Sequence, residues 1–171
     1  MSALLSTVLL RSGWAVYVRP SFRMRFPEVR TIYCSPNVKD ALNPGRSKLD
    51  GKQLAGAVAV MNEFVEGKSV AVSTPRLGDD RGLVKGLKGF EEKLFEIRFF
   101  AIAPQLRMIG VFPQKDVFLA CQLMSRKDLD GNWSDCCKRV LQQMKAMGKD
   151  APECLTYQDV DKVLTNWRIS K

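Results

Sequence analysis

The sequence predicts an α+β domain, and three observations carry that prediction. Runs of β-branched and aromatic residues at 29–34, 94–100, 107–112 and 117–124 have the composition of strands. Apolar residues recur at helical spacing in two stretches, Leu54, Val58, Met61 and Val65 in the first and Val140, Met144 and Met147 in the second. Two turn-forming segments, Ala103-Pro104-Gln105 and Pro113-Gln114-Lys115-Asp116, join the last three strand runs closely enough for an antiparallel meander. The order is a strand, two helices, a three-strand meander and a helix, which belongs to the α+β class.

Each element has a local reason. Residues 1–27 carry Arg11, Arg19, Arg23 and Arg25 with no acid before Glu28, and read as a basic flexible extension with Met24 as an alternative start, or as a segment with the basic, acid-free composition of an organellar transit peptide. Their apolar run, residues 3–10, is far shorter than the roughly 20 residues that a spanning helix needs. Val29-Arg30-Thr31-Ile32-Tyr33-Cys34 is the first strand. Ser35-Pro36 then supplies an N-cap and a first helical residue for a short helix, which Asn43-Pro44-Gly45 stops. Residues 49–66 form the long amphipathic helix, with Gly67 at its C-terminal cap. Residues 69–74 suit a short strand, and 75–89 a loop rich in Gly and charge. After the meander, Ser134 or Asp135 caps the last helix of the domain, which Gly148 ends. A second helical pattern follows Thr156, so the expected organisation is 1–27 extension, 28–149 domain and 150–171 helical tail.

Charge and missing residue types narrow the chemistry. The chain has 171 residues, 27 Lys plus Arg against 18 Asp plus Glu, and no His, for a formal charge of +9. Without imidazole there is no Ser-His-Asp triad, no Cys-His pair and no zinc site with His ligands. The positive surplus makes a polyanion the expected partner, nucleic acid first. The five cysteines, 34, 121, 136, 137 and 154, form no CxxC pair and read as reduced, small apolar residues. No metal and no cofactor is expected, nor any membrane.

The candidate chemistry lies in the meander. Strand alternation puts Leu94, Glu96 and Arg98 on one face, with Phe95, Ile97 and Phe99 on the other. Arg107 shares a face with Ile109 and Val111. Arg98, Arg107 and the Arg126-Lys127 pair therefore come from three neighbouring strands and converge on one basic patch. Phe95, Phe99, Phe100, Phe112 and Phe118 are core or rim aromatics, and Trp133 staples the last helix.

Residues 89–147 resemble the RelE/HigB-type toxins of bacterial toxin-antitoxin modules, in particular their phage-derived branch. Leu94-Phe95-Glu96-Ile97-Arg98 stands where that branch has Leu-Phe-Glu-Leu-Arg, and Leu106-Arg107 stands at its Tyr-Arg. The strand 117–124 with Arg126-Lys127 matches a hydrophobic strand ending in Lys-Lys, and residues 136–147 match the last helix. Leu106 in place of Tyr, and Asp128 and Asp130 beside the patch, depart from the pattern. The resemblance implies a RelE/ParE-like fold and a cytoplasmic toxin that cuts messenger RNA on the ribosome without metal, silenced by a cognate antitoxin. It gives Arg98 and Arg107 the scissile phosphate, Lys127 a proton transfer, and Arg126 and Lys93 the RNA backbone. Tyr157 then stacks on a base or acts as acid.

That chemistry suits the residues present. RNA is cleaved by its own 2′-hydroxyl, so a protein need only orient groups, move protons and stabilise charge. Arg meets phosphate oxygens with a bidentate fork. The alternative is a non-enzymatic inhibitor or basic RNA- or protein-binding module on the same scaffold: a ParE-like gyrase inhibitor or an inactive phage-derived domain.

Overall fold

The computed structural model describes residues 3–18, 28–75, 81–148, 151–158 and 160–169. Helix α1 (Ala3–Arg11) leads to strand β1 (Ala15–Val16), followed by β2 (Thr31–Cys34), α2 (Pro36–Leu42) and α3 (Gly51–Val65). Next come β3 (Val70–Ser73), β4 (Val84–Gly86), β5 (Leu94–Phe99), β6 (Leu106–Gln114) and β7 (Val117–Ser125). The chain ends with α4 (Arg126–Leu129), α5 (Trp133–Lys145), α6 (Val160–Val163) and β8 (Trp167–Ile169). All eight strands join one sheet, in the order β1-β2-β7-β6-β5-β4-β3-β8. The sheet is mixed: β2 runs parallel to β7, and β3 parallel to both β4 and β8.

This corrects the expected RelE/ParE-like fold. A three-strand meander flanked by few helices does not describe an eight-stranded mixed sheet with six α-helices, and only the general α+β class stands. Besides β3, which the sequence marks only as a short strand at 69–74, that expectation leaves out β1, β4 and β8, of two or three residues each. Alternation cannot be read over so few positions; such strands exist because a longer neighbour supplies their hydrogen bonds.

The capping residues act as their sequence suggests. Ser35 Oγ accepts from the Val38 N–H at the start of α2 and donates to the Cys121 carbonyl, 2.8 Å away. Asp50 and Gln53 form a reciprocal capping box at the start of α3. At the end of α3, Gly67 holds φ +74°, a left-handed conformation that costs glycine little.

Two cores flank the sheet because alternate side chains leave it on opposite sides. On one side Phe95, Ile97 and Phe99 of β5, with Phe112 and Phe118, pack on Met61 and Phe64 of α3. The Phe95 and Phe112 rings meet edge to face with centroids 4.9 Å apart, a geometry that adds about 0.5–1.5 kcal/mol beyond area burial. On the other side Leu94, Ile109, Val111 and Leu119 pack on α5 through Cys137 and Val140, and on Leu9 of α1.

A bulge reverses the facing of β7. Ile109 pairs with Gln122 but Gly110 with Ala120, so Cys121 is the extra residue. Before it Leu119 faces α5; beyond it Met124 does. A Cβ on Gly110 would lie 1.9 Å from the Leu119 carbonyl oxygen, so the bulge requires glycine there.

Residues 3–18, read from the sequence as part of an extension, are built into the fold. Leu9 and Trp14 are buried, Tyr33 hydrogen-bonds Ser6, and β1 pairs with β2. Residues 19–27 lie outside the described residues. The expected helical tail is instead the short α6 and then β8, which extends the sheet beyond β3. Among the described residues no helix is long and apolar enough to cross a membrane.

Candidate functional site

The site is a cleft of about 620 Å³ on the α5 side of the sheet. Its floor comes from adjacent strands in register. Arg98 of β5 sits directly opposite Arg107 of β6, and Glu96 of β5 directly opposite Lys85 of β4. Like charges facing each other across two strands repel, and Glu96 offsets that repulsion. One carboxylate oxygen lies 3.3 Å from Arg107 Nε, and the other 3.8 Å from Arg98 Nε.

Three of these four charges are buried, with Glu96 4%, Arg98 3% and Arg107 2% exposed. Burying ions is costly unless each is paired and hydrogen-bonded, and the neighbours meet that demand. Arg98 Nε donates to the Gly82 carbonyl at 2.7 Å and Nη2 to Ser73 Oγ at 3.0 Å. Arg107 donates to the Leu106 carbonyl at 2.9 Å and to Gln105 Oε1 at 3.0 Å. The half-exposed Phe100 ring lies over both guanidiniums, 5.1 Å from Arg98 and 5.7 Å from Arg107. Burial pushes the Glu96 carboxyl above its ordinary value of 4.5, outweighing the downward pull of Arg107, Arg98, Lys85 and Arg126.

The rim adds more cations. Lys85 is half-buried, and Lys88 and Arg126 are exposed. Among the described residues Asp130 is an acid on the rim, and it pairs with Arg126 at 3.2 Å. Trp133, the first residue of α5, closes one wall. The arrangement therefore offers one buried carboxylate, two fixed guanidiniums and three further cations around a space open to solvent. It can hold an anion and exchange a proton with it.

Of the residues expected from sequence, the cleft gathers Arg98, Arg107 and Arg126. It does not gather the other three. Lys127 follows Arg126 on α4, where the next side chain points about 100° around the helix, and it is exposed outside the cleft. Lys93 ends the 3-10 turn Phe90–Glu92 and does not line the cleft. Tyr157 lies on the opposite face of the sheet, 4% exposed, with its ring edge-on to Phe95 at 6.3 Å. Its stacking or acid role at this cleft is corrected by that position.

No sequence motif marks Lys85, Lys88 or Trp133 as a site residue. Lys85 was hidden because β4 lies in a segment whose charge and glycine content suggest a loop. Part of that charged segment, residues 76–80, lies outside the described residues. Trp133 was read as a staple for the last helix; it packs on that core and also lines the cleft.

None of the cysteines lines this cleft. Cys34, Cys121, Cys136 and Cys137 are free and buried, and burial pushes the Cys34 and Cys137 thiols up to about 12. Among the described residues no group of three or more acids or thiols is arranged to hold a metal ion. Comparison with family models, with curated proteins and with solved structures finds no match to this chain.

Proposed function

We propose that the cleft binds RNA and that the protein is a cytoplasmic endoribonuclease, the toxin of a toxin-antitoxin pair, cutting messenger RNA on the ribosome. The observation that supports this most is Glu96 held between Arg98 and Arg107 at the floor of a cleft whose rim is rich in cations. Lys85, Lys88 and Arg126 hold backbone phosphates. The 2′-hydroxyl gives its proton to the Glu96 carboxylate while its oxygen bonds to phosphorus. The bond from phosphorus to the 5′ oxygen breaks, and that oxygen takes a proton from water, leaving a 2′,3′-cyclic phosphate and a 5′-hydroxyl. Arg98 and Arg107 stabilise the charge gathered on phosphorus, which lets the step proceed without a metal. Glu96, which lines the cleft, thus takes the proton-transfer role in place of Lys127, which does not. A cognate antitoxin silences the protein by placing acidic residues over the same cleft.

The test is cleavage of a translated messenger RNA by the purified protein in the presence and absence of EDTA, with the new ends mapped. Arg107→Lys keeps the charge and loses the fork, and is expected to slow cleavage by about 10²–10³-fold. RNA left intact on translating ribosomes sinks the nuclease. A second reading, a binding module without catalysis, is favoured by one observation: both guanidiniums already donate to protein acceptors. Salt-sensitive RNA binding with no new ends selects it.

A further inference from the structure

We infer that Trp133 is a stacking platform for a nucleobase, so that the cleft takes single-stranded RNA and rejects a duplex. The inference rests on the reading of the cleft as an RNA site and names which form of RNA it accepts.

The three tryptophans of the chain differ in a way that packing alone does not explain. Trp14 is 4% exposed, a core residue. Trp167 is half-buried and donates its indole N–H to Asp161 at 2.8 Å. Trp133 is half-buried as well, but its indole N–H has no partner among the described residues, and its side chain lines the cleft beside Arg126, Leu129 and Asp130. Trp133 packs one part on the core around Cys136 and Val140 and presents the remainder to the same space as Lys85 and Lys88.

An aromatic surface next to a group of cations matches the two parts of a nucleotide. Cations hold the phosphate, whatever the sequence. The indole accepts the face of a base, and every base has such a face. In an A-form duplex the faces are already stacked on neighbouring base pairs, so only an unpaired base can lie against the indole. A cleft of about 620 Å³ is of the size that encloses a small ligand, not a double helix. Free phosphate and sugar phosphates lack the face and gain nothing from the tryptophan.

The experiment uses the full chain and a short, mixed-sequence oligoribonucleotide carrying 2′-O-methyl groups, which binds without being cut. Tryptophan fluorescence reports contact and a titration reports affinity. Wild-type protein is expected to be quenched by the single strand, and Trp133→Phe to keep affinity within about twofold while losing most of the quench. Trp133→Ala is expected to bind about 5–150-fold more weakly, the range for loss of one stacked base. An oligomer with abasic sites, which needs no variant and no assumption about folding, is expected to bind wild-type protein as weakly as Trp133→Ala binds the intact one. Equal binding of intact and abasic oligomers, or duplex bound as tightly as single strand, overturns the stacking role alone. An intact oligomer that does not bind wild-type protein at low salt overturns the RNA reading beneath it.

Discussion

Among the described residues arginines are buried in two places, and their surroundings differ more than their exposure. Arg30 is 1% exposed, against 3% for Arg98 and 2% for Arg107, so burial does not separate them. Arg30 is enclosed by acceptors from distant parts of the chain: the carbonyls of Phe64 and Lys68 near the end of α3, those of Thr165 and Asn166 before β8, and the Asp116 carboxylate 3.4 Å away. Asp116 also accepts from the Thr165 hydroxyl, so a single acid joins the β6–β7 turn to the C-terminal segment. Burial lowers the Arg30 pKa against the pull of Asp116, and no cleft residue touches it. Arg98 and Arg107 share one carboxylate, lie under an open cleft, and have more cations above them. A buried cation whose Nη groups donate to carbonyls from distant segments holds those segments together. The cleft over Arg98 and Arg107 leaves their side of the sheet open to solvent.

Substitution of the shared carboxylate tests that contrast most severely. Glu96→Gln keeps the shape and removes the charge, and it is expected to lower cleavage by about 10²–10⁴-fold, the usual worth of a positioned base. Two opposing effects set its stability: relief from burying a charge, and loss of the carboxylate that offsets the repulsion between Arg98 and Arg107. The sign of the pH effect follows. A folded-state pKa above the unfolded one contributes stability that is present below 4.5 and is lost as pH rises through the raised value. Cleavage by the ionised form runs the other way, rising with pH through the same range. Urea unfolding and cleavage rates measured across that range should therefore show opposite slopes in the wild type, and Glu96→Gln should flatten the stability slope. If Glu96→Gln unfolds readily and loses no activity per folded molecule, the cleft acids and arginines are a structural cluster like that of Arg30.

Arg30→Met should show the reverse pattern. It leaves several carbonyls and Asp116 without their cation, and removing one partner of a buried pair costs about 3–5 kcal/mol. Urea denaturation gives that loss, while RNA binding per folded molecule should stay within about twofold of wild type. A variant that stays as stable as the parent would mean that water or a shifted side chain replaces the guanidinium, and that the clamp on β8 is weak.

The sequence made one of these regions partly legible and the other not at all. The convergence of Arg98, Arg107 and Arg126 follows from alternation along β5 and from two short turns, and the strands lie where those patterns put them. Arg30 is a single charged residue in a strand run, and its partners are 34 to 136 positions away, beyond the reach of any local pattern. The role of Lys85 depended on β4, three residues in a glycine-rich stretch that pair only because β5 and β3 lie on either side. Tyr157 was misplaced because helical periodicity carries no information about which side of a sheet a segment crosses. The same limit hid β8: Trp167-Arg168-Ile169 has no alternation to read, and its strand geometry comes from β3.

The smallest expected effect concerns the rings over the guanidiniums. Arg30 lies 5.1 Å from the Phe64 centroid, and Arg98 lies 5.1 Å from that of Phe100, so the two contacts are alike in distance. Phe64 is fully buried in the larger core and Phe100 is 44% exposed. Cation–π attraction is weakened by water, to about 0.5–1 kcal/mol at exposed sites. Phe100→Ala should therefore cost on the order of 1 kcal/mol in urea denaturation, whereas Phe64→Ala adds a core cavity and should cost about 3–5 kcal/mol. The gap between the two variants measures how much of each arginine site is packed interior and how much is solvent-facing. A Phe100→Ala loss as large as that of Phe64→Ala would place the cleft floor in the core and remove the distinction between the two arginine clusters.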